Sequence, residues 1–378
     1  MHLLILPTTY VNSHNKTSSL FVKNQAEALQ KKGLKIGIVC SLPISLKKIQ
    51  FKNVLNFFYD VKIVNCIKTI LFTFPSVPKI RIINNFIRFI IGKILIKKYI
   101  KENGIPDIIH VHNYIVGNLA IWMKKKYSVP FVITEHSSAF YTNGLSLKQL
   151  KLASYNYSMS NLNISVSLGF SEFLTKKMGS VFFTLPNVVD TNYFTINKKN
   201  DNTNDFTFTN IGYLDKNKNQ ILLIRAFLDS FKGDVNKKLI IAGEGPERKK
   251  ILKYISKFDF FGQVKVLNSL DRISVRNILN KSNCLVVSSS IETFSVISIE
   301  ALSCGIPVVA IRSIGPSFII SEDRYGMLSN KDNLGKALRD IYLNRKKYIS
   351  NDLRNYAVEN FSDNIISSKL IKIYKSLT

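Results

Sequence analysis

The stretch Cys284-Leu-Val-Val-Ser288-Ser-Ser-Ile-Glu292-Thr-Phe-Ser-Val-Ile-Ser-Ile-Glu300-Ala-Leu-Ser-Cys-Gly305-Ile-Pro307-Val-Val-Ala-Ile311 reads as strand, loop, helix, turn and strand in succession. Its first five residues form a short apolar run of the kind that a parallel sheet covered on both faces buries. Serines end the run, and the helix is expected to begin near Thr293 or Ser295. Its free N–H groups and positive dipole end would face the carboxyl edge of the sheet, where anions bind. Gly305 suits a helix C-terminal cap, and Pro307 restarts the chain as the strand Val308–Ile311. Glu292, just before the helix, can accept hydrogen bonds from hydroxyl groups. Glu300, inside it, can chelate a vicinal diol such as a ribose 2′,3′ pair. Two glutamates eight positions apart are commonly solvated surface charges. Their setting between two apolar strands, in a chain with 25 acidic residues among 378, favours a ligand that carries both hydroxyls and phosphates.

The same rhythm extends in both directions. His2–Leu6 reads as a strand, Phe21–Lys32 as a helix capped by Gly33, and Lys35–Cys40 as the next strand. Asp107–His112, a helix through Lys126, Pro130–His136 and Leu162–Val166 continue the alternation of a doubly wound sheet. Asn197–Asn204 has linker composition. Beyond it the rhythm restarts with Phe206–Asn210, the helix Gln220–Phe231 and Lys238–Ala242, which ends in Gly243-Glu-Gly245-Pro246. The tail Asn360–Leu377 has helical spacing. A length of 378 residues fits two domains of ordinary size. The expected division is 1–195, then 205–359, with a C-terminal helix at 360–378 packing back on the first domain.

The N-terminal Met-His-Leu-Leu-Ile-Leu reads as a first strand and not as a signal peptide. The four cysteines show no paired spacing, which points to a reducing cytoplasm and to neither a zinc site nor a disulfide framework. The formal charge of +28 is concentrated in the first half, where residues 1–190 hold 24 Lys and Arg against 7 Asp and Glu. Such a field favours anionic partners: nucleic acid, a phospholipid surface or a phosphorylated substrate. From Lys79 to Lys101 there are seven basic residues and no acid. Charges interrupt this segment too often for a membrane span. As a helix, it would gather Ile83, Phe86, Phe89, Ile90 and Ile94 on a face opposite Arg88 and Lys98. Two readings stay open: the segment lies on an anionic bilayer, or it is an ordinary Rossmann helix packed on its sheet with solvated lysines. No helix-turn-helix, zinc or RNP-like pattern supports nucleic-acid binding.

The Glu292–Glu300 segment resembles the E-x7-E signature of the retaining family 4 glycosyltransferases, also called glycosyl transferases group 1. Leu185-Pro-Asn187-Val-Val-Asp190-Thr-Asn-Tyr-Phe194 resembles the family's interdomain segment. Ile211-Gly212-Tyr-Leu-Asp-Lys-Asn-Lys218 is similar to its donor-phosphate motif, and Pro7-Thr-Thr-Tyr10 through Asn12, Asn15, Phe21 and Leu29 to its first loop and helix. Ser19 and Ile314 stand where the family usually has glycine, Tyr213 where it has arginine, and Phe318 where a glutamate often follows Gly315-Pro316. The resemblance implies the GT-B fold, an α/β architecture of two Rossmann-like domains facing across a cleft.

It also implies the chemistry. A sugar would move from a nucleoside-diphosphate donor to a hydroxyl acceptor with retention at the anomeric carbon. Lys218 would neutralise the departing diphosphate, Glu292 would hold sugar hydroxyls and His136 would lie near the transferred sugar. Glu300 would bind the ribose, and Gly212, Lys216, Gly243 and the backbone at Phe294, Ser295 and Val296 would complete the donor site. Lys216 would stand in for the missing arginine. His110 and His112 project to one face of their strand, but without a third ligand they are read as structural or acceptor-side. No metal and no cofactor is expected, and no Asp-x-Asp occurs. Leaving-group oxygen would deprotonate the acceptor, and domain closure would exclude water. The expected acceptor is a lipid-linked intermediate of surface polysaccharide assembly (capsule, O-antigen or exopolysaccharide) at the inner face of the plasma membrane. Rival readings are a GT-B nucleotide-sugar epimerase and a non-enzymatic basic protein that binds nucleic acid or membrane.

Overall fold

Apolar runs bounded by turn formers become parallel strands in this chain, and each is followed by a helix that covers the sheet. A computed structural model describes residues 1–12, 19–45, 59–77, 80–197, 205–259 and 261–378. Asn15, Lys79 and positions 198–204 of the Asn197–Asn204 linker lie outside the described residues. The chain forms two units, Met1–Val188 with Ile366–Thr378, and Val189–Ile365.

The first unit contains strands β1 (His2–Pro7), β2 (Lys35–Ile44), β3 (Tyr59–Val64), β4 (Ile67–Pro75), β5 (Ile108–His112), β6 (Phe131–Glu135), β7 (Leu162–Ser165) and β8 (Phe182–Thr184). They form one sheet in the order β3-β4-β2-β1-β5-β6-β7-β8, parallel except for the antiparallel pair β3–β4. Its helices are α1 (Leu20–Lys31), α2 (Arg81–Asn103), α3 (Gly117–Tyr127), α4 (Leu147–Met159) and α5 (Leu168–Met178). All residues of β1, β5 and β6 are buried, as two-sided coverage requires. Ile366, Leu370 and Tyr374 of the C-terminal helix Asp363–Lys375 join Leu3, Ile5 and Val22 in this unit's core.

The β3–β4 hairpin was not read from the sequence. Asn65 and Cys66 turn it at φ 51° and 59°, the left-handed pair of a two-residue hairpin turn. A cysteine in the second position hides that signal.

Helix α2 packs on the sheet, as an ordinary Rossmann helix does, but through the face opposite the expected apolar one. Arg88 is buried, its Nε donating to the Ser41 carbonyl at 3.1 Å while the Ser41 hydroxyl donates to the Arg88 carbonyl at 3.0 Å. Leu95, Ile96 and Tyr99 are buried with it. Ile82, Ile83, Phe86, Ile90 and Ile94 face outward, Ile82 and Phe86 at 65% exposure each. The physical cause is that Leu95, Ile96 and Tyr99 supply the larger inward apolar surface. The arginine on the same stripe is accommodated through main-chain hydrogen bonds at β2.

The second unit holds β9 (Phe206–Ile211), β10 (Lys237–Ala242), β11 (Val264–Leu267), β12 (Cys284–Val287), β13 (Val308–Ile311) and β14 (Gly326–Ser329). Its helices are α6 (Gln220–Phe231), α7 (Arg248–Phe258), α8 (Arg272–Lys281), α9 (Val296–Ser303), α10 (Ile314–Ile319), α11 (Leu334–Leu343) and α12 (Ser350–Phe361). The sheet order is β11-β10-β9-β12-β13-β14, all parallel. From β9 the connections run outward to β11, then return and run the other way from β12. Between β9 and β12 the order reverses, so the loops leaving these two neighbours diverge and open a crevice at their carboxyl ends. The segment Thr191–Phe194 is anchored in this unit by Arg354, whose guanidinium donates to the carbonyls of Thr191, Phe194 and Ser303 at 2.9–3.0 Å.

Candidate functional site

The loop after β9 and the loop after β12 are stitched together by side-chain amides. Asn217 Nδ2 donates to the Ile291 carbonyl at 3.0 Å, and its Oδ1 accepts from the Ile291 amide at 3.1 Å. Asn219, in the left-handed region at φ 51°, donates to the Ser288 carbonyl and to Ser290 Oγ. Ser288 Oγ donates to the Lys218 carbonyl at 2.6 Å. Lys218 closes a short 3-10 turn, Lys216–Lys218, whose cap Asp215 accepts from the Lys218 amide. The result is an ion pair: Lys218 Nζ donates to Glu292 Oε2 at 2.6 Å. Lys216 points outward and makes no ion pair among the described residues.

Next to this pair stands the N-terminus of α9, which begins at Val296, with Ser295 as its cap at φ 95°. That is a strained conformation for a residue with a side chain. No side chain caps the helix, because the Ser295 hydroxyl pairs with that of Ser298 at 2.8 Å. Uncapped amides and the helix dipole make this end suited to an anion. Phe294 keeps its ring buried, and Gly315 seats directly on its backbone. The Gly315 amide donates to the Glu292 carbonyl at 2.8 Å. A Cβ at 315 would lie 2.3–2.5 Å from Phe294 O, N and Cα, so only glycine fits. Gly243 plays a similar part against Gly212, whose carbonyl oxygen would be 1.9 Å from an added Cβ. Its role is close packing of the loops after β9 and β10, while Gly212 itself borders open space.

Glu300 lies inside α9, largely buried, with Arg272 Nη1 at 3.9 Å. Burial raises its carboxyl to about 7, and the Arg272 charge holds it back from rising further. Arg272 itself stacks on Tyr193 and Phe194, 5.0 Å from each ring, so the segment that Arg354 anchors sets the cation facing Glu300.

In the first unit, His136 follows β6. His112 Nδ1 and His136 Nε2 are 3.0 Å apart. On the other side of His112 stacks His110, with ring centres 4.3 Å apart. Nδ1 of His110 bonds the Tyr374 hydroxyl at 2.6 Å and its Nε2 bonds Thr134 Oγ1 at 2.7 Å. Phe21 of α1 covers His136 at 4.2 Å. Burial holds all three imidazoles below their usual range, His112 down to about 3. Among the described residues no group of three or more His, Cys, Asp or Glu is arranged to hold a metal ion. Ser19, which stands where a glycine was expected, takes φ 51° at the start of α1. It occupies the backbone region a glycine would adopt freely.

The structure thus brings together Lys218, Glu292, Gly212, Phe294, Ser295 and Val296 at one sheet edge, with Glu300 one helix turn further and Lys216 beside them in the exposed turn. Two participants, Arg272 and Glu135, were not picked out from the sequence, and His112 was read there only as structural or acceptor-side. Arg272 faces Glu300 from a helix 28 positions away. His112 bonds the ring of His136. Glu135, fully buried, accepts from Asn113 Nδ2, the amides of Tyr114, His136 and Ser137, and the Tyr157 hydroxyl. Burial raises its carboxyl, and the hydrogen bonds from the Ser137 amide, the Tyr157 hydroxyl and the Tyr114 and His136 amides oppose the rise. An acid directly before a histidine was the available signal.

Two family models match, in tandem. "Glycosyltransferase Family 4" matches residues 19–193, and "Glycosyl transferases group 1" matches residues 193–360. An uncharacterised glycosyltransferase of Methanocaldococcus jannaschii is 28% identical over 250 residues, which span 65% of this chain and 68% of that protein. A glycogen synthase of Mycobacterium tuberculosis is 23% identical over 54% of this chain and 51% of its own length, so the chain spans about half of it. Among solved structures, a sucrose-phosphate synthase from Thermosynechococcus elongatus superposes with a TM-score of 0.81 at 16% identity, covering 100% of this chain and 99% of that one. Anabaena HepE, described in complex with UDP-glucose, superposes at 0.74 and 16% identity, with both chains covered fully.

Proposed function

The chain belongs to the group 1, family 4 glycosyltransferases and has their GT-B fold of two Rossmann-like α/β domains, and from that premise we propose that it transfers a sugar from a nucleoside-diphosphate donor to a hydroxyl acceptor with retention. The observation that carries this reading is the assembly around Lys218 at the carboxyl edge of the second sheet. A fixed cation and an uncapped helix N-terminus share one crevice with two carboxylates. In this reading Glu300 binds the ribose diol, while Lys218 and the amides of α9 meet the diphosphate. Glu292 receives the sugar hydroxyls. As the bond to the anomeric carbon breaks, negative charge grows on the diphosphate, and a preset cation stabilises that charge more than it stabilises the intact donor. The resemblance gives His136, in the first unit, a role toward the transferred sugar.

The acceptor we propose is a lipid-linked glycan intermediate of surface polysaccharide assembly, met at an anionic membrane face. What supports the membrane part is the outer face of α2, where Ile82, Phe86, Ile90 and Ile94 stand exposed beside Lys97 and Lys101. Apolar side chains with basic neighbours suit the headgroup boundary of an anionic bilayer. No helix among the described residues is long and apolar enough to cross a membrane.

Thermal stabilisation across UDP-, GDP- and ADP-sugars tests the donor class, with UDP-glucose first because HepE is described with it. Incubation of the stabilising donor with a lipid-diphosphate glycan, followed by NMR of the new anomeric centre, tests transfer and retention. Donor turnover that needs no acceptor would sink the transferase reading in favour of an epimerase.

A further inference from the structure

Strand β3, Tyr59-Asp60-Val61-Lys62-Ile63-Val64, stands at the end of the first sheet. Among the described residues β4 is the strand it pairs with, and its other edge carries none. Val61 and Ile63 are 42% and 69% exposed. Val64 and Ile67 flank the two-residue turn, so they form a hydrogen-bonded pair, and bonded and non-bonded pairs alternate from there. Asp60 and Lys62 thus spend their main-chain groups on β4. Tyr59, Val61 and Ile63 turn their N–H and C=O groups to the open edge, which is a template for another strand.

The sequence of this edge is complementary to itself. When Val61 of one copy lies opposite Val61 of another, antiparallel pairing sets Asp60 opposite Lys62 and Tyr59 opposite Ile63, each on both sides of the axis. The outward main-chain groups of Tyr59, Val61 and Ile63 then bond one another. Asp60 and Lys62 already pair within the strand at 2.6 Å, and the axis sets two such pairs side by side with alternating signs. Opposite charges facing across a ladder are favourable, as is an aromatic ring beside a β-branched side chain. The Tyr59 ring is held by Lys98 of α2, 4.7 Å from its centre. A lysine on an edge strand commonly guards it against pairing. Here the guard fixes the register instead, because sliding to the neighbouring bonded registers brings Asp60 against Asp60 or Lys62 against Lys62. We propose that the open edge of β3 docks a second copy of this chain, joining two first-unit sheets about a two-fold axis at Val61. The surface is isologous, so association closes at two chains. A single short strand pair makes a small interface, and the dimer is weak, with a Kd on the order of 10 µM. The formal charge of +28 on each chain opposes it mainly at low salt.

The test is sedimentation equilibrium of the full chain from about 1 to 200 µM in about 0.15 M salt, where charges are screened beyond about 8 Å. The wild-type mass should climb from one chain to two and stop there. Asp60→Lys places like charges opposite each other on both sides of the axis and should weaken association about tenfold or more. The double substitution Asp60→Lys, Lys62→Asp restores opposite signs in the same register and should recover the wild-type Kd to within about threefold. Val61→Pro removes the N–H at the axis and should abolish the dimer; proline is tolerated at a solvent-facing N–H of an edge strand. Melting curves confirm that each variant is folded, and the charge variants decide the matter if Val61→Pro is not. A mass of one chain throughout overturns the proposal. So does growth past two chains, association that Asp60→Lys leaves unchanged, or a double substitution that stays as weak as the single one.

Discussion

Lys218 donates to Glu292 across 2.6 Å although 74 positions separate them in the chain. In this ion pair the cation that would meet a diphosphate is already neutralised. A nucleotide must compete with the carboxylate for it. Glu292→Gln should thus bind UDP without its sugar about tenfold more tightly, a gain of about 1.4 kcal/mol, while transfer falls. Lys218→Ala should lower kcat about 100–1,000-fold, as removal of one preset oxyanion donor does. Titration calorimetry with UDP and initial rates with the matched donor check both. Weaker UDP binding by Glu292→Gln would show that the carboxylate does not compete.

Glu300 brings a pH dependence. Its carboxyl is raised to about 7 by burial, so below that value it is largely protonated and a poor acceptor for two ribose hydroxyls. Donor affinity should rise between pH 6 and pH 8. The same shift acts on folding with the opposite sign. A folded state that holds a proton the unfolded chain releases loses stability as pH climbs from about 4.5 through 7. Glu300→Gln should flatten this stability trend and weaken donor binding at pH 8. Melting curves and donor titrations across the range, with other titrating groups held common by the comparison, read both effects.

Gly315→Ala should be costly. The added methyl would meet three backbone atoms of Phe294 at 2.3–2.5 Å, none of which can rotate away. Destabilisation of about 1–3 kcal/mol is expected from overpacking, with donor binding lost in parallel because the same backbone leads into α9. A variant that melts and binds like the wild type would show that the loop shifts freely.

The outer face of α2 can be changed without touching the core, since Phe86 and Ile90 are exposed. The double substitution Phe86→Glu, Ile90→Glu should leave the melting temperature within about 2 °C, as surface changes do. Co-sedimentation with phosphatidylglycerol vesicles should fall about tenfold or more. Undiminished sedimentation, or none by the wild type, would defeat the proposal that α2 meets a membrane.

The legible parts of this molecule are those in which sequence neighbours decide the structure. Helix α6 at Gln220–Phe231 and strand β13 at Val308–Ile311 stand at the positions their apolar patterns indicate. Glu292 was legible from its setting between two strands but Lys218 only through resemblance, since neither spacing nor charge says that a lysine 74 positions earlier will meet this glutamate. Asn217 and Asn219 accomplish that meeting, and amides in a polar loop carry no advance signal of their partners. The orientation of α2 was illegible for a related reason. Both of its faces are apolar, and the choice between them rests on packing by Leu95, Ile96 and Tyr99 and on the Arg88–Ser41 contact across 47 positions. His112 could be placed on a strand face beside His110, but its partner His136 belongs to the next strand's loop.

The paired amide contacts of Asn217 with Ile291 extend hydrogen bonding past the ends of β9 and β12. They hold two loops in register before any ligand arrives, so a nucleotide meets a site whose backbone entropy was lost during folding. In the proposed donor mode association need not order these loops, and the principal local rearrangement left to it would be the exchange of one carboxylate for a phosphate at Lys218. Heat-capacity changes on nucleotide binding should accordingly be small, and the on-rate should reflect diffusion and ionic strength more than loop motion.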